Sequence, residues 1–497
     1  MVEFHSFSHG RDGGPARNSV SGLSRPRPSG KRSVTSSPAD TPGRPSATIP
    51  SPRLAATLAD AAAQIGRLPR AERWGTLAGV RGASLTVVGL GRSLSVGDRL
   101  QLLRPGAAPI PAELVAFGPG GAVAVPEGRT EGLAPGGRIL LGEAPMLFPC
   151  DAWLGRVVDG LGQPLDGAGP LPAGRRPAPL RSPPPDSLRR KLLGRRLETG
   201  IRAIDVFTPI CRGQRMGVFA ASGVGKSTLM GMLARFVESD VIVVGLVGER
   251  GREVREFLDR TLDEAARRRS VVVVATSDQP ALAQRRAAQA SLAVAEYFRA
   301  EGRQVFLLLD SVTRLAHAQR QIGLAAGEPA TARSYTPSVF TELPALLERA
   351  GPGPEGEGDI TALFTVLVDG DDHDEPIADA VRGILDGHLV LDRKIGERGR
   401  WPAIDVLRSV SRSLPGCHAA EEMALLAEGR RQLTTYADMA ELIRLGAYRA
   451  GSDPAVDAAI RLQPGLEAFL SQGIAERAPA PEAFARLAMV LGGEGEG

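Results

Sequence analysis

Apolar and polar residues alternate along the chain in three successive patterns, each of which predicts a different kind of structure. Between about residues 73 and 145, short β-like runs are separated by turns rich in Gly and Pro, which is typical of a small closed barrel. From about residue 200 to 400, apolar strands alternate with helical segments, which indicates a parallel sheet covered on both faces. Beyond about residue 415 the periodicity is helical throughout and predicts a small all-α region.

The central and C-terminal patterns are strong enough to place individual elements. In the central part, the apolar runs predict strands over 241–247, 271–275 and 305–310, and helices over 253–268 and 280–299. In the C-terminal part, the spacing predicts helices over 419–432, 436–445, 454–471 and 481–491.

The first part of the chain has a different composition. Residues 1 to about 50 are rich in Ser, Pro, Gly and Arg, and they are predicted to form a disordered basic tail because they carry too few apolar residues to offset the entropy of ordering. Between Leu54 and Leu68, apolar residues recur at helical spacing. This amphipathic helix could pack on its own domain, or dock on a partner or an anionic membrane surface.

One glycine-rich stretch carries the clearest chemical signal. Residues 220–228 read A-A-S-G-V-G-K-S-T and join an apolar run to a helical pattern. Gly223 and Gly225 allow successive backbone N–H groups to turn inward and form an anion site. Lys226 would then reach the β- and γ-phosphates, and the Ser227 hydroxyl would bind Mg²⁺. The predicted nucleotide contacts of this loop are Ser222, Gly223, Val224, Gly225, Lys226, Ser227 and Thr228. Ala220 stands where the strict P-loop pattern has Gly.

Two carboxylates follow apolar strands at positions where they could serve this loop. Asp310 ends the strand predicted at 305–310, and we expect it to hold Mg²⁺ directly or through water at the carboxyl edge of the sheet. Glu249 lies just beyond the strand ending at Val247 and could polarise a water that attacks the γ-phosphate. On spacing alone, a solvated ion pair between Glu249 and the neighbouring arginines is an equal alternative.

The bulk composition adds limits. With 60 basic and 56 acidic residues among 497, the net charge of +4 is too balanced to indicate a nucleic-acid partner. Since no apolar run approaches the roughly 20 residues of a membrane span, we expect a cytoplasmic protein. Three cysteines, Cys150, Cys211 and Cys417, lack metal-ligand spacing and are predicted to be incidental thiols.

Taken together, these motifs resemble the hexameric ATPases of type III secretion, and most closely the flagellar protein-export ATPases. The resemblance runs from about residue 155 to 416. It rests on L-G-R-V-V-D-G-L-G-Q-P-L-D from Leu154, G-L-V-G-E-R-G-R-E-V-R-E-F from Gly245, S-V-T-R from Ser311, A-D-A-V-R-G-I-L-D-G-H-L-V-L from Ala378, and W-P-A-I-D-V-L-R-S-V-S-R from Trp401. It implies a RecA-like P-loop core for the ATPase domain over 146–414. The sequence patterns place the other domains around it: a tail over 1–50, a helix and barrel over 51–145, and a helical domain over 415–497.

The resemblance also implies roles for individual residues. Glu249 matches the glutamate that activates water, and Arg250 matches an arginine beside the phosphates. Arg412 matches an arginine finger that projects into the nucleotide site of the neighbouring subunit. Trp401 occupies a place where relatives often have a tyrosine that stacks on adenine. Together with Lys226 these residues imply Mg-ATP hydrolysis at the interfaces of a ring, expected to be a homohexamer.

The partners implied by the resemblance are a stator-like export regulator, an export gate, and chaperone–substrate complexes, with peripheral contact to the inner membrane and no nucleic acid. The sequence leaves other functions open: an injectisome ATPase with nearly the same motifs, a rotary ATP synthase catalytic subunit, an RNA-translocating ring, and a non-hydrolysing scaffold. G-D-D-H-D-E-P from Gly370 favours the flagellar interpretation.

Overall fold

The computed structural model describes residues 57, 73–91, 94–368 and 375–492. From residue 73 onward these belong to one compact unit, 71–497. The predicted tail, the apolar positions of the predicted helix between Leu54 and Leu68, and most of the G-D-D-H-D-E-P motif lie outside the described residues.

The first described region is a closed barrel of six antiparallel strands, as the turn-separated pattern predicts. Its interior is filled by alternating apolar residues, among them Leu77, Leu100 and Ile139. The sequence signal for β1 and β5 is weak, because glycines in both and a terminal proline in β5 disfavour a strand. The strands close in the order β1-β2-β5-β4-β3-β6, with bounds β1 (Trp74–Arg81), β2 (Ser84–Val88), β3 (Arg99–Arg104), β4 (Ala107–Gly118), β5 (Gly121–Pro126) and β6 (Arg138–Leu141).

A nine-stranded sheet forms the centre of the molecule. All of its pairings are parallel except those of β16 with β17 and β19 with β18. The strand order is β19-β18-β12-β17-β15-β13-β14-β8, with β16 paired to β17. The bounds are β8 (Val157–Val158), β12 (Arg215–Ala220), β13 (Val241–Glu249), β14 (Ser270–Thr276), β15 (Val305–Asp310), β16 (Gly351–Pro352), β17 (Asp359–Leu367), β18 (Gly387–Leu391) and β19 (Val410–Ser411). Two small antiparallel pairs join β7 (Met146–Leu147) to β9 (Ala178–Pro179) and β10 (Arg196–Leu197) to β11 (Ile210–Cys211).

Helices cover both faces of this sheet, as the pattern of apolar strands predicts. Their bounds are α1 (Arg202–Phe207), α2 (Lys226–Phe236), α3 (Gly251–Glu256), α4 (Glu264–Arg268), α5 (Ala281–Ala300), α6 (Val312–Ala326), α7 (Pro337–Leu347), α8 (Pro376–Ile384) and α9 (Arg393–Glu397). Short 3₁₀ turns lie at Asp151–Trp153 and Ala332–Ser334.

The single helix predicted over 253–268 is wrong. The chain instead forms α3, a π-helical turn at Phe257–Thr261, and α4. Asp263 starts α4 by accepting a hydrogen bond from the backbone N–H of Ala266 at 2.8 Å, and such a capping residue begins a new helix. Thr261 packs so closely on Gly231 that a Cβ there would lie 2.3 Å from its methyl group.

Three helices form the C-terminal region: α10 (Ala420–Arg444), α11 (Pro454–Leu470) and α12 (Ala480–Gly492). The two helices predicted over 419–432 and 436–445 are one continuous helix, which corrects that prediction. Leu433 is buried at the predicted break, and its packing outweighs the few tenths of a kcal/mol that the following threonines cost in helix propensity. None of the helices that the structure describes is long and apolar enough to cross a membrane.

A cluster of buried charges joins the barrel to the central sheet. Glu113 on β4 accepts from Arg181 at 2.7 Å and from Arg285 of α5 at 2.6 Å. Glu127 lies 2.6 Å from Arg286, also on α5. These contacts fix the barrel against the helix that leads away from the carboxyl end of β14.

Candidate active site

The phosphate loop connects β12 to α2 at the carboxyl edge of the sheet. Gly223 and Gly225 have φ angles of 81° and 84°, a region that side-chain-bearing residues rarely adopt. Gly225 immediately precedes α2, whose first backbone N–H groups have no partner within the helix. The loop and helix end therefore have the geometry of the concave anion site that the sequence predicts, and anion binding there stays a prediction.

Trp401 lies against this loop. A Cβ atom at Gly225 would be 2.6 Å from its indole ring, and one at Gly396 would be 2.9 Å away. Glycine at both positions therefore allows the ring to pack closely, while 41% of the Trp401 surface stays exposed. The indole is near enough to the loop to contact a bound nucleotide, and its role with adenine stays a prediction.

Lys226, Asp310 and Glu249 meet at this same carboxyl edge of the sheet, because each follows or ends one of its parallel strands. The Nζ of Lys226 lies 2.5 Å from Oδ1 of Asp310, at the end of β15, and 3.7 Å from Oε1 of Glu249, at the end of β13. Thr365 on β17 donates its hydroxyl to the same Oδ1 at 2.6 Å. Parallel strands end at a common edge, so residues far apart in sequence meet around one ammonium group.

The charges in this cluster are not balanced within the protein. Two carboxylates share one ammonium, and burial together with the charge of Asp310 raises the pKa of Glu249 to about 7, although Lys226 opposes the shift. Oε1 of Glu249 is buried and accepts no hydrogen bond. A buried acceptor without a donor is costly, and a water molecule held by this oxygen would satisfy it.

The cleft has a volume of about 310 Å³. Arg250 lies at its rim, where its side chain is 76% exposed and pairs with Glu253 at 3.2 Å. Val224 differs from the other loop residues, since its side chain is buried in the core. Only its backbone could therefore contact a nucleotide.

Two further arginines contact this site although the sequence did not mark them as site residues. Arg314 lines the cleft from α6, and its Nε is buried without a hydrogen-bond partner. Its place four residues after Asp310, in the S-V-T-R motif, is a usable signal. Arg393 donates to the carbonyl oxygen of Ser222 at 2.9 Å, and no local pattern marks it because the contact spans 171 residues.

Comparison with known proteins identifies the family. The model of the ATP synthase alpha/beta family, nucleotide-binding domain, matches residues 200–411, and the model of the T3SS EscN ATPase C-terminal domain matches residues 419–489. The flagellum-specific ATP synthase of Caulobacter vibrioides is 53% identical over 438 residues, covering 87% of this chain and 99% of that protein. The chain belongs to the family of flagellar and type III secretion ATPases.

Relatives from type III secretion systems are also similar. The type 3 secretion system ATPase of Xanthomonas euvesicatoria is 45% identical over 411 residues, or 82% of this chain and 92% of that protein. The assembled ATPase EscN of enteropathogenic E. coli has a TM-score of 0.79 at 38% identity, covering 84% of this chain and 100% of EscN, and EscN with its central stalk EscO gives 0.76. The predicted fold class, a P-loop core with a parallel sheet between a barrel and a helical region, is confirmed. This member of the family is an ATP-hydrolysing enzyme.

The cleft of this ATPase has the donor chemistry that Mg²⁺ requires beside a nucleotide. Mg²⁺ is usually held by one or two protein oxygens together with substrate phosphates. Ser227 opens α2 and is exposed at the cleft, and Asp310 supplies a carboxylate. Within the part of the chain that the structure describes, no group of three His, Cys, Asp or Glu residues could hold a metal by itself. Bound nucleotide would therefore have to complete the ligand set.

Arg412 lies at the opposite edge of the sheet. It follows β19, and its N–H donates to the carbonyl oxygen of Asp386 at 2.9 Å. The carboxylate of Asp386 accepts from the backbone N–H of Arg215 at 3.0 Å, and Arg215 is the first residue of β12. The phosphate loop begins only after Ala220, at the other end of β12. At ~3.3 Å per residue, that end lies about 16 Å from Arg215. Arg412 therefore does not belong to the cleft of its own subunit.

Proposed function

We propose that this chain is the Mg-ATP hydrolysing subunit of a ring that energises flagellar protein export. One observation carries the mechanistic part of this proposal. The cleft gathers a phosphate loop, a lysine and two carboxylates, whereas Arg412 lies at the far edge of the sheet. An arginine that matches a family arginine finger, yet lies on the wrong side of its own subunit, can act on phosphates only in a neighbouring subunit.

In this mechanism the residues of one cleft bind and orient the substrate. Backbone N–H groups of residues 222–228 and Nζ of Lys226 bind the β- and γ-phosphates. Ser227 and Asp310 would hold Mg²⁺, which would supply positive charge to neutralise the charge developing on the phosphates. Thr365 fixes the orientation of the Asp310 carboxylate through its 2.6 Å hydrogen bond.

Glu249 orients the water that attacks the γ-phosphate. Its unpartnered Oε1 is available to accept a hydrogen bond from that water. Because phosphoryl transfer depends mainly on positioning and electrostatics, a glutamate held in this place needs only modest basicity. Arg250 and Arg314 add positive charge at the rim of the cleft, Trp401 stacks on adenine, and Arg412 of the next protomer stabilises the transition state.

The biological setting follows from the relatives. Full-length similarity at 53% to a flagellum-specific ATP synthase supports flagellar export, in which the ATPase prepares export substrates and releases their chaperones. The assembled EscN and its complex with EscO support a homo-oligomer, which we take to be a hexamer, with a stalk-like partner. A stator-like regulator, the export gate and chaperone–substrate complexes are the further partners, at the cytoplasmic side of the inner membrane.

An injectisome ATPase is the second candidate, and the 45% identity to the Xanthomonas secretion ATPase favours it. Deleting the gene and restoring it, intact or with Lys226→Ala, separates the two functions. Loss of flagellin export and motility that only the intact gene restores supports the flagellar role. Normal motility combined with lost secretion of virulence effectors would assign the chain to an injectisome.

Turnover per subunit over a wide range of protein concentration tests the shared site, with oligomer size followed in the same samples. We expect turnover to rise as rings form, and Arg412→Ala to remove the rise, on the order of 10³-fold, while ATP still binds. Mixing Arg412→Ala with Lys226→Ala should restore activity, because one variant keeps an intact cleft and the other keeps Arg412. Full turnover by a monomer would overturn the trans mechanism.

A further inference from the structure

Two leucines protrude into solvent from a loop that is firmly attached to the protein. Leu188 is 94% exposed and Leu192 is 92% exposed, the two highest values among the large exposed hydrophobic residues of the described part of the chain. Single exposed leucines are common on protein surfaces. Two almost completely solvated leucines within five residues call for a more specific explanation.

The backbone that carries them is anchored on both sides. Arg190 donates to the carbonyl oxygen of Glu348 at 2.7 Å and to that of Pro185 at 3.0 Å. Lys191 pairs with Asp359 at 2.9 Å and donates to the carbonyl oxygen of Glu357 at 2.8 Å. These bonds hold residues 186–193, the leucine turn, in one arrangement. The side chains of Arg190 and Lys191 contact the protein, while those of Leu188 and Leu192 face water.

The leucine turn lies on the same edge of the molecule as Arg412. Glu348, which binds Arg190 of the turn, also pairs with Arg215 at 2.5 Å. Arg215 in turn binds the Asp386 carboxylate, and the Asp386 carbonyl oxygen accepts from the N–H of Arg412. A continuous series of contacts therefore connects the turn to Arg412 at the amino ends of β12 and β17.

We propose that the leucine turn is an apolar anchor for a second copy of this chain, on the same side as Arg412. This inference rests on the proposed shared site, since Arg412 can reach phosphates only where this edge meets the cleft-bearing face of a neighbour. Such a contact joins two different surfaces and is directional, as in any ring. Burial of the two leucines against the neighbour aligns this edge with the neighbour's cleft, so that Arg412 reaches the phosphates there.

The test combines Leu188→Ser and Leu192→Ser in the full chain. The serine pair should raise the protein concentration needed for half-maximal assembly by roughly ten- to a hundredfold, with turnover recovering at saturating concentration and an unchanged melting temperature. Leu445→Ser is the matched control, because Leu445 is 69% exposed in the C-terminal region, and it should leave assembly unchanged. An unaltered assembly midpoint in the serine pair would overturn the proposal.

A mixing experiment tests direction. The serine pair is placed either in the Lys226→Ala partner, which supplies Arg412, or in the Arg412→Ala partner, which supplies the cleft. At limiting concentration the restored activity should fall several-fold more in the first case, and equal losses would contradict the assignment. If mixing restores nothing even with both leucines present, the shared-site function fails instead.

A membrane is the competing occupant of this surface. Binding of the wild type and of the serine pair to vesicles of anionic phospholipid separates the two. Equal vesicle binding together with weakened assembly supports the second copy. Lost vesicle binding with normal assembly would overturn the proposal and assign the leucines to a lipid surface.

Discussion

Two clusters of buried charge in this protein use the same residue types in opposite proportions. At the barrel junction, Glu113 and Glu127 contact three closely placed guanidinium groups, those of Arg181, Arg285 and Arg286. In the cleft, Glu249 and Asp310 share the single ammonium of Lys226. The junction carboxylates therefore pair with more cations than there are carboxylates, whereas among the described residues Glu249 and Asp310 form ion pairs with Lys226 alone.

The difference distinguishes a structural cluster from a reactive one. A buried carboxylate with several guanidinium partners is fixed in place by their hydrogen bonds, so it joins two parts of the fold. In the cleft, burial and then the neighbouring charge of Asp310 raise the pKa of Glu249 to about 7, because a charged carboxylate is costly there. Bound Mg²⁺ would supply a second positive charge beside these two carboxylates.

The largest expected effect comes from replacing the carboxylate of Glu249, whose Oε1 is buried without a hydrogen bond. Glu249→Gln should lower turnover by about 10²- to 10⁴-fold, because the amide cannot accept a proton from the attacking water, while ATP still binds. Single-turnover ATPase measurements and nucleotide titration check this. Glu256→Gln is the control, since Glu256 also lines the cleft but pairs with Arg252 at 3.5 Å. If Glu249→Gln retained more than a tenth of the activity, Glu249 would not orient the water.

The second largest effect is expected from a substitution in the charge cluster at the barrel junction, and it should be on stability. Arg286→Met leaves Glu127 without its 2.6 Å partner and should lower the free energy of unfolding by about 3–5 kcal/mol. Urea unfolding measures the loss. Turnover of the folded variant at saturating concentration should stay within about twofold of the wild type. Arg129→Met, on the exposed surface after β5, should change neither quantity. A large loss of turnover without a loss of stability would show that the two clusters are not separate in function.

A smaller effect tests the support of the metal ligand. Thr365→Val removes the hydroxyl that donates to Asp310 and should raise the Mg²⁺ concentration for half-maximal turnover by about 10- to 100-fold. Thr365→Ser, which keeps the donor, should behave almost as the wild type. An unchanged Mg²⁺ requirement in the valine variant would mean that Asp310 does not depend on this bond.

The smallest effect is a pH dependence of stability. The pKa of Glu249 is raised from 4.5 to about 7, so the folded protein binds more protons than the unfolded chain between these values, and charging Glu249 above pH 7 destabilises the fold. Without nucleotide, Glu249→Gln should therefore be more stable than the wild type at pH 8, on the order of 1–2 kcal/mol after allowing for solvent screening. The difference should shrink as the pH falls through 7 and disappear near 4.5. Thermal melts at several pH values check it, and a difference that grows toward low pH would contradict the assignment.

Much of the fold was predictable because its signals are local. The phosphate loop, the strand ending at Asp310, the helix over 280–299 and the barrel with its glycine-rich turns are each specified by residues close in sequence. The wrong helix predictions also came from local signals. Thr434 and Thr435 suggest a break in α10 that buried packing overrides, and the spacing over 253–268 hides the cap at Asp263.

The cysteines show the opposite limit. Cys211 and Cys417 are far apart in the sequence, yet the fold brings their thiols into hydrogen-bonding contact, which raises the pKa of Cys211 and lowers that of Cys417 to about 6. No spacing rule could predict this pair, since 205 residues that form most of the ATPase core separate the two cysteines in the sequence.

The sequence by itself determined which groups this protein has for ATP hydrolysis: the loop, Lys226, the two carboxylates and the arginine. Only the tertiary structure decided how they are divided between the two edges of one sheet. Strand pairing between distant segments brings Lys226, Asp310 and Glu249 together, while the antiparallel return of β19 takes Arg412 to the opposite edge. Local preferences act over a few residues, whereas the direction of a strand in a sheet is set by its partners across the whole chain.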